Sequence, residues 1–212
     1  MSETTGPRGG PTPRTRRDEV RRRLLDAAVR VFAERGYADS RLEDIAREAG
    51  FTKGAVYSNF GGKQELFAAI LRERSEAELD AVTARTRDAD DPAAAVAAAA
   101  RLVARRIAED TERGRLGLEV AALAARDSAT RDIVAPLRRA QREAAARSLA
   151  EVADSGGAAP AVDPRLAGLI VHCLTNGLSM EHLADPEAVD AATVERALAT
   201  VLNALLSPPA SG

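Results

Sequence analysis

The chain has 212 residues and a formal net charge of −2, with 45% hydrophobic and 29% charged side chains, the composition of a soluble globular protein of one large or two small domains. Alanine is abundant and aromatics make up only 3%, which favours an all-α fold. The absence of any apolar run of about 18 residues excludes a membrane span, the leading MSETTGPRGGPTPRTRR has no apolar segment to act as a secretory signal, and the single Cys173, unable to form an intrachain disulfide, fits a reducing cytoplasm.

Residues 1–16, rich in Gly, Pro, Thr and Arg, read as a disordered basic arm. A first helix is expected from about Arg17 to Arg35. Val20, Leu24, Ala28, Val31 and Phe32 recur at helical spacing, Arg21, Arg22 and Arg23 fall off that stripe, and Gly36 suits a left-handed stop. Tyr37 is expected to pack back on this helix.

Ser40 to Lys63 reads as two short helices, Leu42–Ala49 and Lys53–Asn59, joined by Gly50-Phe51-Thr52. Ser40 and Glu43 match the S-x-x-E capping box, and Thr52 stands where an N-cap is wanted. Leu42, Ile45, Ala46 and Ala49 form one buried face. Val56 and Phe60 point inward, leaving Lys53, Tyr57, Ser58 and Asn59 outside. Residues 1–63 carry 13 basic and 9 acidic side chains, a net of +4 that leaves −6 for the remainder. A basic head on an acidic body is what a polyanion-binding head looks like, although solvated arginine faces give the same count.

This pair of helices can act as a helix–turn–helix, its second helix lying in a DNA major groove. Lys53 can reach a phosphate or a guanine edge, Asn59 a base edge or phosphate, and Gly54 lets the backbone come close. Tyr57 and Ser58 offer hydroxyls to phosphates, and Lys63 opens the next helix where free amides also attract anions. A plain helical hairpin with a wetted polar face has the same generic spacing.

The string GYADSRLEDIAREAGFTKGAVYSNFGGKQELF resembles the DNA-binding head of the TetR family of bacterial regulators. The likeness rests on Gly36-Tyr37, Ile45-Ala46, Ala49-Gly50, Gly54, Val56-Tyr57, Phe60, Lys63 and Glu65-Leu66. It covers about residues 17–67, and the rest of the chain resembles the family by its helical layout. The resemblance implies a homodimeric repressor on a palindromic double-stranded operator, released by a small-molecule effector in a C-terminal body. It also implies recognition positions at Lys53, Gly54, Ala55, Tyr57, Ser58 and Asn59 and phosphate contacts from Ser40, Arg41, Tyr57 and Lys63, with Thr52 beside them. Asn59 replaces a frequent His, Ala55 offers only a methyl, and Glu43 stands where some members place a basic base-reader, so it is expected to serve the capping box.

Beyond Gly61-Gly62, a connecting helix is expected over about 63–87, anchored by Leu66, Ile70 and Leu71. Asp91-Pro92 starts the next, running to about Glu109. Gly114–Arg126 follows, then Ala129–Ala153 capped by Asp127 or Ser128 and carrying Pro136, where a kink is expected. The segment 155–160 reads as a loop, Asp163-Pro164 starts a helix to about Ala184, and Asp190 starts the last. The last two helices are apolar on wide arcs and are expected to bury each other and a second copy through Leu166, Ile170, Leu174, Val194, Leu198, Val201, Leu202 and Leu205. Residues 207–212 read as a flexible tail. The resulting division is an arm (1–16), a head (17–63), a regulatory and dimerisation body (64–206) and the tail.

In the body, Leu116, Glu119, Val120, His172 and Asn176 are candidate pocket residues. His172 and Asn176 also suit an interface or a satisfied core, and Glu119 a surface pair with Arg115. Cys173, His172 and His182 lack a usual zinc spacing, and no catalytic or nucleotide-binding motif is present, so no metal, cofactor or enzymatic activity is expected. A DNA-binding dimer without an effector is the alternative. An enzyme or a protein–protein adaptor has less support.

Overall fold

The structure, a computed structural model, describes residues 13–87, 91–155 and 162–206. These form nine α-helices and no strand, which is the expected all-α class. The chain divides into two compact units, Met1–Ala69 and Ile70–Gly212, with the boundary inside the fourth helix.

The first unit contains α1 (Pro13–Asp39), α2 (Leu42–Ala49), α3 (Lys53–Phe60) and the start of α4 (Lys63–Arg87). α1 begins four residues before the expected Arg17, and residues 1–12 of the expected arm lie outside the described residues. The predicted stripe is its buried face, with Leu24, Ala28, Val31 and Phe32 at most 5% exposed. Ile45 of α2, Val56 of α3 and Leu66 of α4 in the same unit are fully buried as well. Gly36, at φ 76° and ψ 164°, breaks the helical path at the expected stop, in a region that a side chain disfavours. The chain then brings Tyr37 back against Phe32 and Phe67, with ring centroids 5.4 and 4.9 Å away. The sequence has four Phe and two Tyr and no Trp, and all six rings fall between Phe32 and Phe67.

The second unit holds the remainder of α4 and α5 (Pro92–Glu109), α6 (Thr111–Arg126), α7 (Ser128–Ser155), α8 (Pro164–Ala184) and α9 (Ala191–Leu206). Each of the last five helices opens on an aspartate whose carboxylate accepts a first-turn amide otherwise left unpaired. Asp91 accepts from Ala94 at 2.7 Å, Asp110 from Arg113 at 3.1 Å and Asp127 from Thr130 at 2.7 Å. Asp163 accepts from Leu166 at 3.1 Å and Asp190 from Thr193 at 2.8 Å. Asp110 moves the start of α6 from the expected Gly114 to Thr111. α7 runs unbroken through Pro136. Of the expected loop at 155–160, Ser155 is the last residue of α7, and the rest, like the tail at 207–212, lies outside the described residues.

Val96, Ala100, Ala104 and Ile107 of α5 pack with Val194, Leu198, Leu202 and Leu205 of α9 in one core that also takes in Leu149 and Ala167. This corrects part of the expected dimer face. Val194, Leu198, Leu202 and Leu205 are between 0 and 9% exposed within the single chain, so they have no surface left for a second copy. Ile170, Leu174 and Val201 are half-buried against the same core. Leu166 alone of the expected set is openly exposed, at 49%, and Leu169 (42%) and Met180 (45%) join it on α8. No helix among the described residues is long and apolar enough to cross a membrane.

Candidate functional site

α2 and α3 are set by a tight turn at Gly50, whose φ of 75° and ψ of 31° end α2 in the left-handed region. The Gly50 amide donates to the Arg47 carbonyl at 3.1 Å and the Phe51 amide to Ala46 at 2.8 Å, closing the helix end. Two arginines from α1 hold this corner. Arg23 donates to the Ala49 carbonyl at 2.9 Å and lies 4.8 Å over the Phe51 ring, while Arg21 lies 4.5 Å over Phe60. By spacing both arginines lie off the apolar stripe. The local signal was an Arg one turn from the apolar stripe and an aromatic at each helix end, but only the fold brings them together.

Two expected caps are not made. Ser40 is 3% exposed and its hydroxyl turns back toward α1, to the Gly36 carbonyl and, at 3.3 Å, that of Val31. Arg41 stands at the N-cap of α2 with no side-chain cap bond, so there is no capping box. Ser40 braces the α1–α2 turn and does not present a hydroxyl outward, which removes it from the phosphate-contact set. Thr52 holds the N-cap position of α3 without a side-chain bond to the helix, and its side chain is exposed.

Glu43 pairs with Lys53 across the two helices at 2.6 Å. The hydrogen bond from Lys53 holds the Glu43 carboxyl below the usual carboxylate range and raises the Lys53 ammonium in return. The other two acids of α2 are also paired, Asp44 with Arg35 at 2.8 Å and with Arg47, and Glu48 with Arg30 at 3.0 Å. Every carboxylate on α2 thus stands beside a cation.

The outer side of α3 presents Lys53, Gly54, Tyr57 and Ser58, with Ala55 and Asn59 half-buried at its edge and Arg41 exposed on the approach to α2. Tyr57 is 49% exposed, although it is a large ring that could have been buried. Asn59 donates to the Ala55 carbonyl at 2.7 Å and Ser58 donates to it at 3.1 Å. A methyl added at Gly54 would meet only Thr52 Oγ1, at an ordinary 3.7 Å, so the fold itself does not require a glycine there. Lys63 is drawn inward, its ammonium donating to the Ala38 carbonyl at 3.0 Å and lying 4.6 Å over the Tyr37 ring.

The second unit encloses a cavity of about 700 Å³, inside the usual range for a small-molecule site, between α4, α5, α6, α7 and α8 and the end of α9. Of the candidate pocket residues, Val120, His172 and Asn176 line it. Leu116 and Glu119 do not. α6 lines the cavity through Arg113, Gly114, Gly117, Leu118, Val120 and Ala121. On the lining, Arg138 Nη1 donates to His172 Nε2 at 3.3 Å and to Asn176 Oδ1 at 3.1 Å. Burial first, then the charges of Arg138 and Arg142, push the His172 pKa down to about 4. His172 is therefore neutral at pH 7, with Nε2 accepting and the proton on Nδ1. Among the described residues no three of His, Cys, Asp and Glu gather as a metal ion would require.

Residues 24–70 match the model described as bacterial regulatory proteins, tetR family, and residues 92–207 match that of the BetI-type transcriptional repressor C-terminal domain. The HTH-type transcriptional regulator SrpR of Pseudomonas putida is 48% identical over 64 residues, 30% of each chain. The match thus spans less than a third of that relative's length. Among solved structures, a TetR-family transcriptional regulator from Rhodococcus sp. superposes with a TM-score of 0.76 at 22% identity, covering 90% of this chain and all of that one. The transcriptional regulator FadR of Bacillus subtilis, in complex with stearoyl-CoA, superposes with a TM-score of 0.70 at 20% identity, over 85% of this chain and 96% of that one.

Proposed function

This chain belongs to the TetR family of DNA-binding transcriptional regulators, and from that premise we propose that it is a homodimeric repressor released from a palindromic operator by a small molecule. The observation that carries the DNA reading is the outer side of α3. Tyr57 stands 49% exposed, and Gly54 is kept without a side chain that the fold has room for. Neither choice helps the head fold, and both suit a helix pressed into a groove, where the backbone approaches closely and a hydroxyl meets phosphate. The proposed contact set is Arg41, Thr52, Lys53, Gly54, Ala55, Tyr57, Ser58 and Asn59, with Lys63 at its margin.

One α3 making two or three base contacts at about 1–3 kcal/mol each cannot select one site in a genome. Two heads on a dimer double that discrimination. The exposed Leu166, Leu169 and Met180 of α8 supply the apolar face for a second copy, continuing the expected role of Leu166. The 700 Å³ cavity supports the effector reading, as does the ligand held by the structurally similar FadR. A ligand preferred by the DNA-incompetent arrangement, with a coupling of about 1–3 kcal/mol, would release the operator.

Footprinting on DNA flanking the gene for this chain locates the operator, and fluorescence anisotropy then ranks variants at fixed salt. Gly54→Ala is expected to raise the helix propensity of α3, about 0.5–1 kcal/mol in favour of folding, while cutting operator affinity at least tenfold. Tyr57→Ala is expected to lose operator binding with unfolding temperature and oligomeric state unchanged. If both variants retain wild-type operator affinity, α3 does not read DNA.

A further inference from the structure

The cavity wall is chemically lopsided. No phenylalanine, tyrosine or tryptophan lines it, because every such ring in the chain lies at or before Phe67. Its apolar surface is aliphatic, including Val96, Val103, Ile107, Leu118, Val134 and Leu137. Such a wall has nothing to stack on a planar ring but can enclose a flexible chain.

Its charges are unbalanced. Six arginines line the cavity (Arg72, Arg74, Arg106, Arg113, Arg138 and Arg147) against three acids, Glu76, Glu78 and Asp110. Glu78 serves both Arg106, at 3.5 Å, and Arg113, and Asp110 stands 3.9 Å from Arg74. Even so, Arg106 Nη1 is buried without a hydrogen-bond partner among the described residues. Arg138 is the plainest case. It is half-buried, no carboxylate lies within ion-pair distance of it among the described residues, and both groups it contacts, His172 and Asn176, are neutral. Arg142 adds a second positive charge nearby. A partly desolvated guanidinium held by neutral acceptors keeps donors in a planar fork suited to a carboxylate or phosphate. Asn176 is exposed, which puts this cluster at the cavity opening, with the aliphatic wall behind it.

We propose that the cavity binds an aliphatic anion, its acidic head on Arg138 between His172 and Asn176 and its chain along the aliphatic wall. This rests on the reading of the cavity as the effector site. His172 and Asn176 are positioning residues that aim Arg138. Head groups of the carboxylate and phosphate kinds share this chemistry.

The test is calorimetric titration of the full-length protein, without DNA, with four probes of one chain length: decanoate, decyl phosphate, decanol and decyltrimethylammonium. An anionic probe is expected to bind about 10- to 100-fold tighter than decanol, with the cation weakest. The ranking of decanoate against decyl phosphate identifies the head. Arg138→Met, which keeps the apolar stem, is expected to bring the anion down to the level of decanol while decanol is unchanged. Arg138→Lys should fall between, and thermal unfolding of both variants shows that the body is intact. Equal binding of anion and decanol, an anion unaffected by Arg138→Met, or no binding of either anion overturns the proposal. Operator release is read separately by anisotropy. Anions that bind with the expected ranking but leave the operator bound overturn ligand release and not the ligand class.

Discussion

The ion pair of Glu43 with Lys53 puts a carboxylate beside a cation of the proposed DNA-contact set. Both side chains are about half exposed, so the pair contributes little to folding, and a phosphate brought to the same ammonium would have to displace Glu43. Glu43→Gln is expected to strengthen operator binding and to steepen the salt dependence by about one counterion, with thermal stability unchanged. An unchanged slope would mean that Lys53 never leaves Glu43. His172 makes a second residue-scale prediction. Its pKa is depressed from 6.5 to about 4, so the folded form resists protonation that the unfolded chain accepts. Its stabilisation is complete above pH 6.5 and is lost as the pH falls from there to about 4. NMR titration, with the resonance assigned through His172→Gln, should give a midpoint near 4, and His172→Gln should flatten that part of the stability–pH curve. The capping box shows why residue patterns can mislead. Ser40 and Glu43 have the right types and spacing, but the Gly36 carbonyl is freed next to Ser40 by the break in α1, and Lys53 is brought to Glu43 by α3. Both competing partners lie outside the four-residue window, Gly36 four residues earlier in the chain and Lys53 on the next helix.

At the scale of elements, α7 and α8 cross where Gly168 meets Ala146. A methyl at Gly168 would come 2.3 Å from the Arg142 carbonyl and 2.9 Å from the Ala146 side chain, so neither helix could keep its place. Gly168→Ala is expected to destabilise the body by about 1–3 kcal/mol in chemical denaturation, and to disturb the cavity, because Arg138 and His172 face each other across the same helix pair. Gly177, with open space around it, should tolerate the same change. Helix starts are legible in the sequence at Asp91, Asp163 and Asp190, where the aspartate accepts a nearby amide, but not at Asp110, which starts α6 at Thr111 and not at the expected Gly114. Helix faces are less so. α9 is apolar on a wide arc, and periodicity identifies the arc without saying whether its partner is α5 of the same chain or another copy. Val194 and Leu198, expected to face α8 and a second copy, are core against α5.

For the whole molecule, that reassignment changes which substitutions test assembly. Replacing Leu198 would open a cavity in the core and cost about 2–5 kcal/mol as alanine, so a lost dimer there would only report unfolding. Leu166 and Leu169 are 49% and 42% exposed and can take a charge without disturbing the fold. Leu166→Asp with Leu169→Asp is expected to give folded monomers in sedimentation equilibrium, with helical content retained. A dimer that survives the pair places the interface elsewhere. The monomers should bind a half-site weakly and lose the affinity gained from engaging two half-sites at once. The six aromatic rings at 32–67 also matter for how such a molecule can be observed. With no tryptophan, its intrinsic emission comes from Tyr37 and Tyr57 alone, one buried and one open to solvent. The body from Ile70 onward emits nothing, and an aliphatic ligand adds no light of its own. Any change in tyrosine emission as the cavity fills is therefore a signal received in the head, which gives this protein a built-in reporter of communication between its two units that requires no label.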